Sequence, residues 1–122
     1  WLNQLLAQHG AAQPASPADV QATLCEFTAA VCANDLLRAA PDSRWLIVCG
    51  GGARNGALMR RLQARLPATR VEPSDAHGLP ALQVEATAFA WLARKALARE
   101  TGSLQSVTGA HGARVLGAIY PR

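Results

Sequence analysis

An α/β layer structure is the fold class this sequence predicts, and three observations predict it. The unbroken apolar run Trp45-Leu46-Ile47-Val48-Cys49 has strand character. It empties into three consecutive glycines, Gly50, Gly51 and Gly52, ahead of a helical pattern that begins near Asn55. A second strand-like stretch, Thr69 to Glu72, follows that helix after Pro67. The alternation of helix and strand implies parallel strands joined by helical crossovers, which are expected to be right-handed.

Residues Trp1 to Leu6 read as the end of a helix that began upstream, and His9 to Ala15, with Gly10 and Pro14, as a loop. Ser16 is placed to cap the next helix, Pro17 suits its first position, and Asp19 favours the positive end of its dipole. Val20, Leu24, Phe27 and Val31 repeat at helical spacing, so that face is expected to be buried until about Arg38. Pro41-Asp42-Ser43 breaks the helix. The strand Trp45–Cys49 is apolar at every position, which predicts a central strand covered on both faces. The helix from Asn55 to Leu66 turns Leu58, Met59, Leu62 and Leu66 inward. A loop from Pro73 to Pro80 leads to a long helix ending near Glu100. Beyond it come a glycine- and serine-rich loop, Ser103 to Ala113, and a final strand or extended tail, Val115 to Tyr120.

At 122 residues the chain is one domain's worth, half hydrophobic but poor in aromatics. Trp1 stands where a methionine would begin a complete protein, so a fragment is expected. No apolar run approaches the roughly 20 residues of a membrane span. Cys25, Cys32 and Cys49 are odd in number and lie in apolar segments; they read as core residues of a reduced, cytoplasmic protein. His9, His77 and His111 lack metal-ligand spacing. The net charge of +4 raises the question of nucleic acid. Arg60, Arg61 and Arg65 on one helix, and Arg94, Lys95 and Arg99 on another, read instead as solvated faces without aromatics to stack bases.

Chemistry concentrates at the glycines. Glycine permits positive φ and leaves no Cβ between main chain and ligand, and a following helix aims unpaired N–H groups at whatever sits there. A phosphate or nucleotide suits that geometry. One form of the site is an NAD(P)-dependent dinucleotide-binding fold: Gly50 and Gly52 fit the fingerprint, and Glu72 stands where a ribose-binding acid belongs. The third glycine position, however, is Asn55, Gly56 falls one residue late, and a helix precedes the strand. The other form is a kinase lobe, in which the glycine corner passes beneath adenosine.

Four segments favour the kinase. Val48 to Met59 is the first, and Gly78-Leu79-Pro80 the second. Then come Glu85-Ala86-Thr87-Ala88-Phe89-Ala90-Trp91-Leu92-Ala93 and the pair Ser106–Ala110 and Arg114–Pro121. In this order they resemble the C-terminal third of the anhydro-N-acetylmuramic acid kinase family, and the likeness runs nearly the whole chain. The resemblance implies the C-terminal lobe of an actin-like ATPase (ribonuclease H-like) fold, residues 1–122 being one nucleotide-binding lobe of a two-lobed kinase. It implies ATP and Mg2+ as cofactors and an anhydro amino sugar as substrate, with no nucleic-acid or membrane partner and room for a homodimer. Enzymes of this family hydrolyse the anhydro bridge of their sugar and phosphorylate its O6 in cell-wall recycling. Their catalytic base and the loop that handles phosphates and magnesium lie outside the segments matched here, so no catalytic residue is expected in this chain. A non-catalytic nucleotide-sensing module is the remaining alternative.

The resemblance assigns Gly50, Gly51, Gly52 and Asn55 to the nucleotide, while Asn55 fits equally a helix cap. Glu85 falls on the apolar arc of its helix with Leu82, Phe89, Leu92 and Ala96. A carboxylate there must find partners or line a cavity; the resemblance favours the sugar cleft, and helix-end stabilisation is the competing account. Thr108 and Gly109 are expected to border the same cleft. The chain departs from the family pattern at Gly56, where proline is usual, near Leu82, where a capping aspartate is missing, and at Ala110–Ala113.

Overall fold

The computed structural model describes residues 1–9 and 15–121. Its order is α1 (Leu2–His9), α2 (Pro17–Ala39), β1 (Trp45–Val48), α3 (Gly56–Arg65), β2 (Arg70–Pro73), α4 (Val84–Leu97) and α5 (Gln105–Thr108). Single 3₁₀ turns occupy Gly51–Arg54 and Ser74–His77. The predicted α/β class is observed. Most of the expected loop between His9 and Ala15 lies outside the described residues.

Local chemistry sets the helix starts as expected. The Ser16 hydroxyl accepts the Asp19 N–H at 3.1 Å, with Pro17 in the first turn of α2. Asn55 Oδ1 accepts the N–H groups of Ala57 and Leu58 at 3.1 and 3.2 Å and so caps α3. α4 starts without a side-chain cap, since Gln83 occupies the capping position and makes no such bond. The stretch Val115–Tyr120 has no regular secondary structure, bends at Gly117 (φ 96°) and pairs with no strand, so the final strand offered by the sequence is not formed.

β1 and β2 form a two-stranded parallel sheet in the register Trp45↔Arg70 to Val48↔Pro73. α3 connects them and packs on β2, and α2 packs on α3. The core is small: Ala29 and Ala33 of α2, Leu62 and Leu66 of α3, and Ala81 are buried, with Thr69 beside them. Thr69 Oγ1 is satisfied by donating to the Ser43 carbonyl at 2.9 Å.

Four expectations need correction. β1 is not covered on both faces, because Trp45 and Ile47 are each 49% exposed while Leu46 and Val48 are half-buried. The buried stripe of α2 is Ala29 and Ala33, leaving Phe27 65% exposed and Val31 42%. Alanines let two helices approach closely, and α2 is apolar enough around its circumference that periodicity alone marks the wrong stripe. The cysteines are not core residues: Cys32 and Cys49 are exposed and Cys25 is half-buried. The basic residues of α3 are not simply solvated either. Arg61 and Arg65 both pair with Glu26 of α2, Arg65 Nε at 2.6 Å, which clamps the α2–α3 contact. On α4, Lys95 pairs with Glu100 and lies 5.4 Å from the Trp91 ring centre.

Candidate functional site

β1 stops at Val48, and Gly50 turns the chain with φ 73° and ψ −165°, a conformation open in practice only to glycine. Gly51 and Gly52 then begin the 3₁₀ turn, which is closed by Ala53 N–H to Gly50 C=O at 3.2 Å and Asn55 N–H to Gly52 C=O at 3.0 Å. The N–H groups of Gly51 and Gly52 reach no acceptor among the described residues. A Cβ on Gly51 would meet nothing within 4 Å, whereas one on Gly52 would touch Leu58 Cδ2 at 3.5 Å. Two free amides and an open approach are therefore presented at the end of the sheet, where α/β structures place their ligands.

Asn55 stands at the far end of this turn. Its side-chain oxygen is committed to the cap of α3, which leaves its amide nitrogen for other use. Beside it lies a hollow of about 140 Å³ lined by Gln21, Leu24, Cys25 and Thr28 of α2 with Asn55 and Leu58 of α3. The sequence reads Leu24 and Cys25 as core residues and assigns none of these α2 residues to a site. Nothing local in their pattern marks them for one, because only the packing of α2 on α3 brings them to Asn55.

The loop after β2 is tied to the same corner. Gly50 N–H donates to the Ala81 carbonyl at 2.8 Å, and Ala81 N–H donates to Asp75 Oδ2 at 3.2 Å. Gly78, at φ 83°, reverses the chain between them. Asp75 was also missed, although an aspartate three residues before a glycine is a turn signal.

Glu85 is in the first turn of α4, exposed, and without a hydrogen-bond partner among the described residues. The expected inward arc is real as a pattern but has little packed against it. Leu82 and Phe89 are 50% and 63% exposed, and α4 buries no residue. What covers its far end is the tail: Leu116 and Ile119 lie against Phe89, Leu92 and Ala96 around a groove of about 490 Å³. Glu85 is thus near the glycine corner along the chain, through Ala81, and not inside a closed pocket. Thr108 and Gly109 end α5, Gly109 at φ 68° and Thr108 Oγ1 bonded to the Leu104 carbonyl at 2.9 Å. No hydrogen bond joins them to α4 among the described residues.

Glu72 is engaged with its neighbours, Arg70 at 2.8 Å and His77 at 3.1 Å. Asn55, where the dinucleotide fingerprint needs its third glycine, is a helix cap. Both facts count against the NAD(P) alternative. Among the described residues, no three of the His, Cys, Asp and Glu side chains gather to hold a metal ion. No helix among them is long and apolar enough to cross a membrane.

The fold and corner define an α/β protein with a glycine-rich strand-to-helix junction, consistent with part of a kinase. The sequence profile of anhydro-N-acetylmuramic acid kinase matches residues 1–122. The chain belongs to that family, which removes the dinucleotide-binding reading. It is 65% identical over 121 residues, 99% of its length, to the anhydro-N-acetylmuramic acid kinase of Variovorax paradoxus, of which it covers 32%. It is 52% identical over its full length to that of Cupriavidus metallidurans, again covering 32%. With the enzyme of Albidiferax ferrireducens it shares 64% over 106 residues. The chain thus spans about a third of the length of the curated relatives it matches.

Proposed function

We propose that residues 1–122 are the C-terminal, nucleotide-binding lobe of a two-lobed, cytoplasmic sugar kinase with the actin-like (ribonuclease H-like) fold. In the complete enzyme ATP is the phosphoryl donor and an anhydro amino sugar, anhydro-N-acetylmuramic acid, is the acceptor. The reaction opens the anhydro bridge and phosphorylates O6. The observation that supports this most directly is the corner at Gly50–Gly52, with two free amides and open space beside Gly50 and Gly51.

In this reading the main chain of Gly51 and Gly52 lies against the ribose and phosphates, and Asn55 Nδ2 hydrogen-bonds the nucleoside. The hollow between α2 and α3 beside Asn55 receives part of the base. Mg2+ neutralises phosphate charge in such a reaction, and its ligands come from outside these residues. Glu85 faces the sugar from the start of α4. Phosphoryl transfer depends mainly on positioning and charge stabilisation by groups from both lobes. This chain by itself therefore binds ATP weakly and turns nothing over.

Titrating the chain with ATP and with NAD, followed by calorimetry, tests the reading. Weak, saturable ATP binding and no NAD binding are expected. Preference for NAD, or a sugar phosphate formed by residues 1–122 alone, would overturn it.

A further inference from the structure

Successive glycines have more backbone freedom than any other stretch of chain, so a ligand site made from their main chain must be held still by something else. Two of the main-chain hydrogen bonds at Gly50–Gly52 close their own turn, from Ala53 N–H to Gly50 C=O and from Asn55 N–H to Gly52 C=O. Another reaches a distant segment: Gly50 N–H donates to the Ala81 carbonyl at 2.8 Å. The direction in which Gly51 and Gly52 present their free amides therefore depends on where Ala81 stands.

Ala81 is 4% exposed, and its own N–H donates to Asp75 Oδ2 at 3.2 Å. Pro80 before it has no N–H, and the Leu79 N–H is already given to the Ser74 carbonyl at 3.2 Å. The 3₁₀ turn Ser74–His77, closed by Gly78 N–H to the Asp75 carbonyl at 3.2 Å, fixes the backbone that carries the carboxylate. Asp75 makes no ion pair and no other side-chain hydrogen bond among the described residues. Without its carboxylate a buried N–H loses its acceptor, and the loop must shift to bring that group to water. The carbonyl that holds Gly50 belongs to the same residue and shifts with it.

We propose that Asp75 is a positioning residue for the nucleotide. Its carboxylate holds the Ala81 amide, the Ala81 carbonyl holds Gly50, and the aim of the Gly51 and Gly52 N–H groups follows. The proposal rests on reading the glycine corner as the nucleotide site. What the relay needs at position 75 is an acceptor and not a charge, which sets Asn apart from Ala there. Contacts to the ribose are made alike before and during phosphoryl transfer, so their loss falls on KM more than on kcat.

The test uses the complete enzyme that contains this chain. Asp75→Ala should raise the KM for ATP at least tenfold, with kcat and the KM for the sugar changed less than about threefold. Asp75→Asn, which keeps an oxygen for the Ala81 N–H, should hold the KM for ATP within about threefold of the native value. A residue that merely stabilised its loop would lower the melting temperature and leave both constants intact. That result overturns the proposal, as does an Asn variant no better than the Ala variant. Gly51→Val separates this proposal from the reading beneath it. If Gly51→Val raises the KM for ATP and Asp75→Ala does not, the nucleotide site stands and the relay is refuted. If neither raises it, the site is wrong and the relay falls with it. Amide exchange in the unmodified enzyme decides even where Asp75→Ala does not fold. Saturation with a non-hydrolysable ATP analogue should slow exchange at Ala81 as well as at Gly51 and Gly52, at least tenfold, because coupling between two places acts in both directions. Slowing at the glycines with Ala81 unchanged would overturn the proposal.

Discussion

Gly50 N–H donates to the carbonyl of Ala81 at 2.8 Å, and this bond ties the glycine corner to the turn that starts α4. Ala81 is buried and is held in turn by Asp75. The corner is therefore fixed from two directions, by β1 before it and by the post-β2 loop across from it.

Gly50 and Gly51 should separate a structural role from a ligand role. At φ 73° and ψ −165°, Gly50 is strained for any other residue even though a Cβ there would clash with nothing. Gly50→Ala should lower stability by about 1–3 kcal/mol in urea denaturation. Gly51 has neither constraint, so Gly51→Val should change stability by less than about 0.5 kcal/mol. In the complete enzyme the valine should raise the KM for ATP with a smaller effect on the sugar. Unchanged ATP kinetics would place the nucleotide elsewhere.

Asn55 has a measurable cap. Asn55→Ala removes the acceptor for two α3 N–H groups and should cost about 1 kcal/mol. Asn55→Asp keeps that acceptor and should retain stability, while losing the Nδ2 donor assigned to the nucleoside. Reduced ATP affinity at unchanged melting temperature is the expected outcome for the aspartate variant.

Glu26 makes stability depend on pH. Hydrogen bonds from Arg61 first, and Arg65 second, hold its carboxyl below the usual glutamate range. A depressed folded pKa gives stabilisation that is complete above the unfolded value and is lost as pH falls through the folded one. Melting temperatures taken from about pH 7 down to about pH 3 should therefore fall more steeply for the native chain than for Glu26→Gln. Parallel curves would show that the clamp between α2 and α3 contributes nothing.

Glu85 is exposed in this chain, so Glu85→Gln should leave its melting temperature unaltered. If the carboxylate meets the sugar in the complete enzyme, turnover should drop at least tenfold, about 1.4 kcal/mol, with ATP affinity retained. A fully active Gln variant would remove Glu85 from the site.

The elements were legible because their signals are local. Ser16 and Pro17 start α2 by hydrogen bonding and fixed φ, Asn55 starts α3, Pro67 ends it, and Trp45–Cys49 has no polar residue to interrupt a strand. Residue spacing also marked Leu62 and Leu66 as core. The face of α2 was not legible, because its alanines and its larger apolar residues both recur at helical spacing. Only contact with α3 chooses Ala29 and Ala33. The hollow lined by Gln21, Cys25 and Thr28 was invisible for the same reason, its walls being separated by about thirty residues of chain and joined by packing alone.

By itself the sequence determined the family, the glycine corner and the order of helices and strands as far as α4, since these rest on short-range backbone preferences and on contiguous motifs; the short helix α5 lies where a loop was expected. Tertiary structure decided which surfaces are closed. It sealed β2 with Gln63, joined Arg61 and Arg65 to Glu26, and fastened Gly50 to Ala81. Those outcomes depend on where distant segments meet, and a one-dimensional pattern carries no term for the distance between two segments.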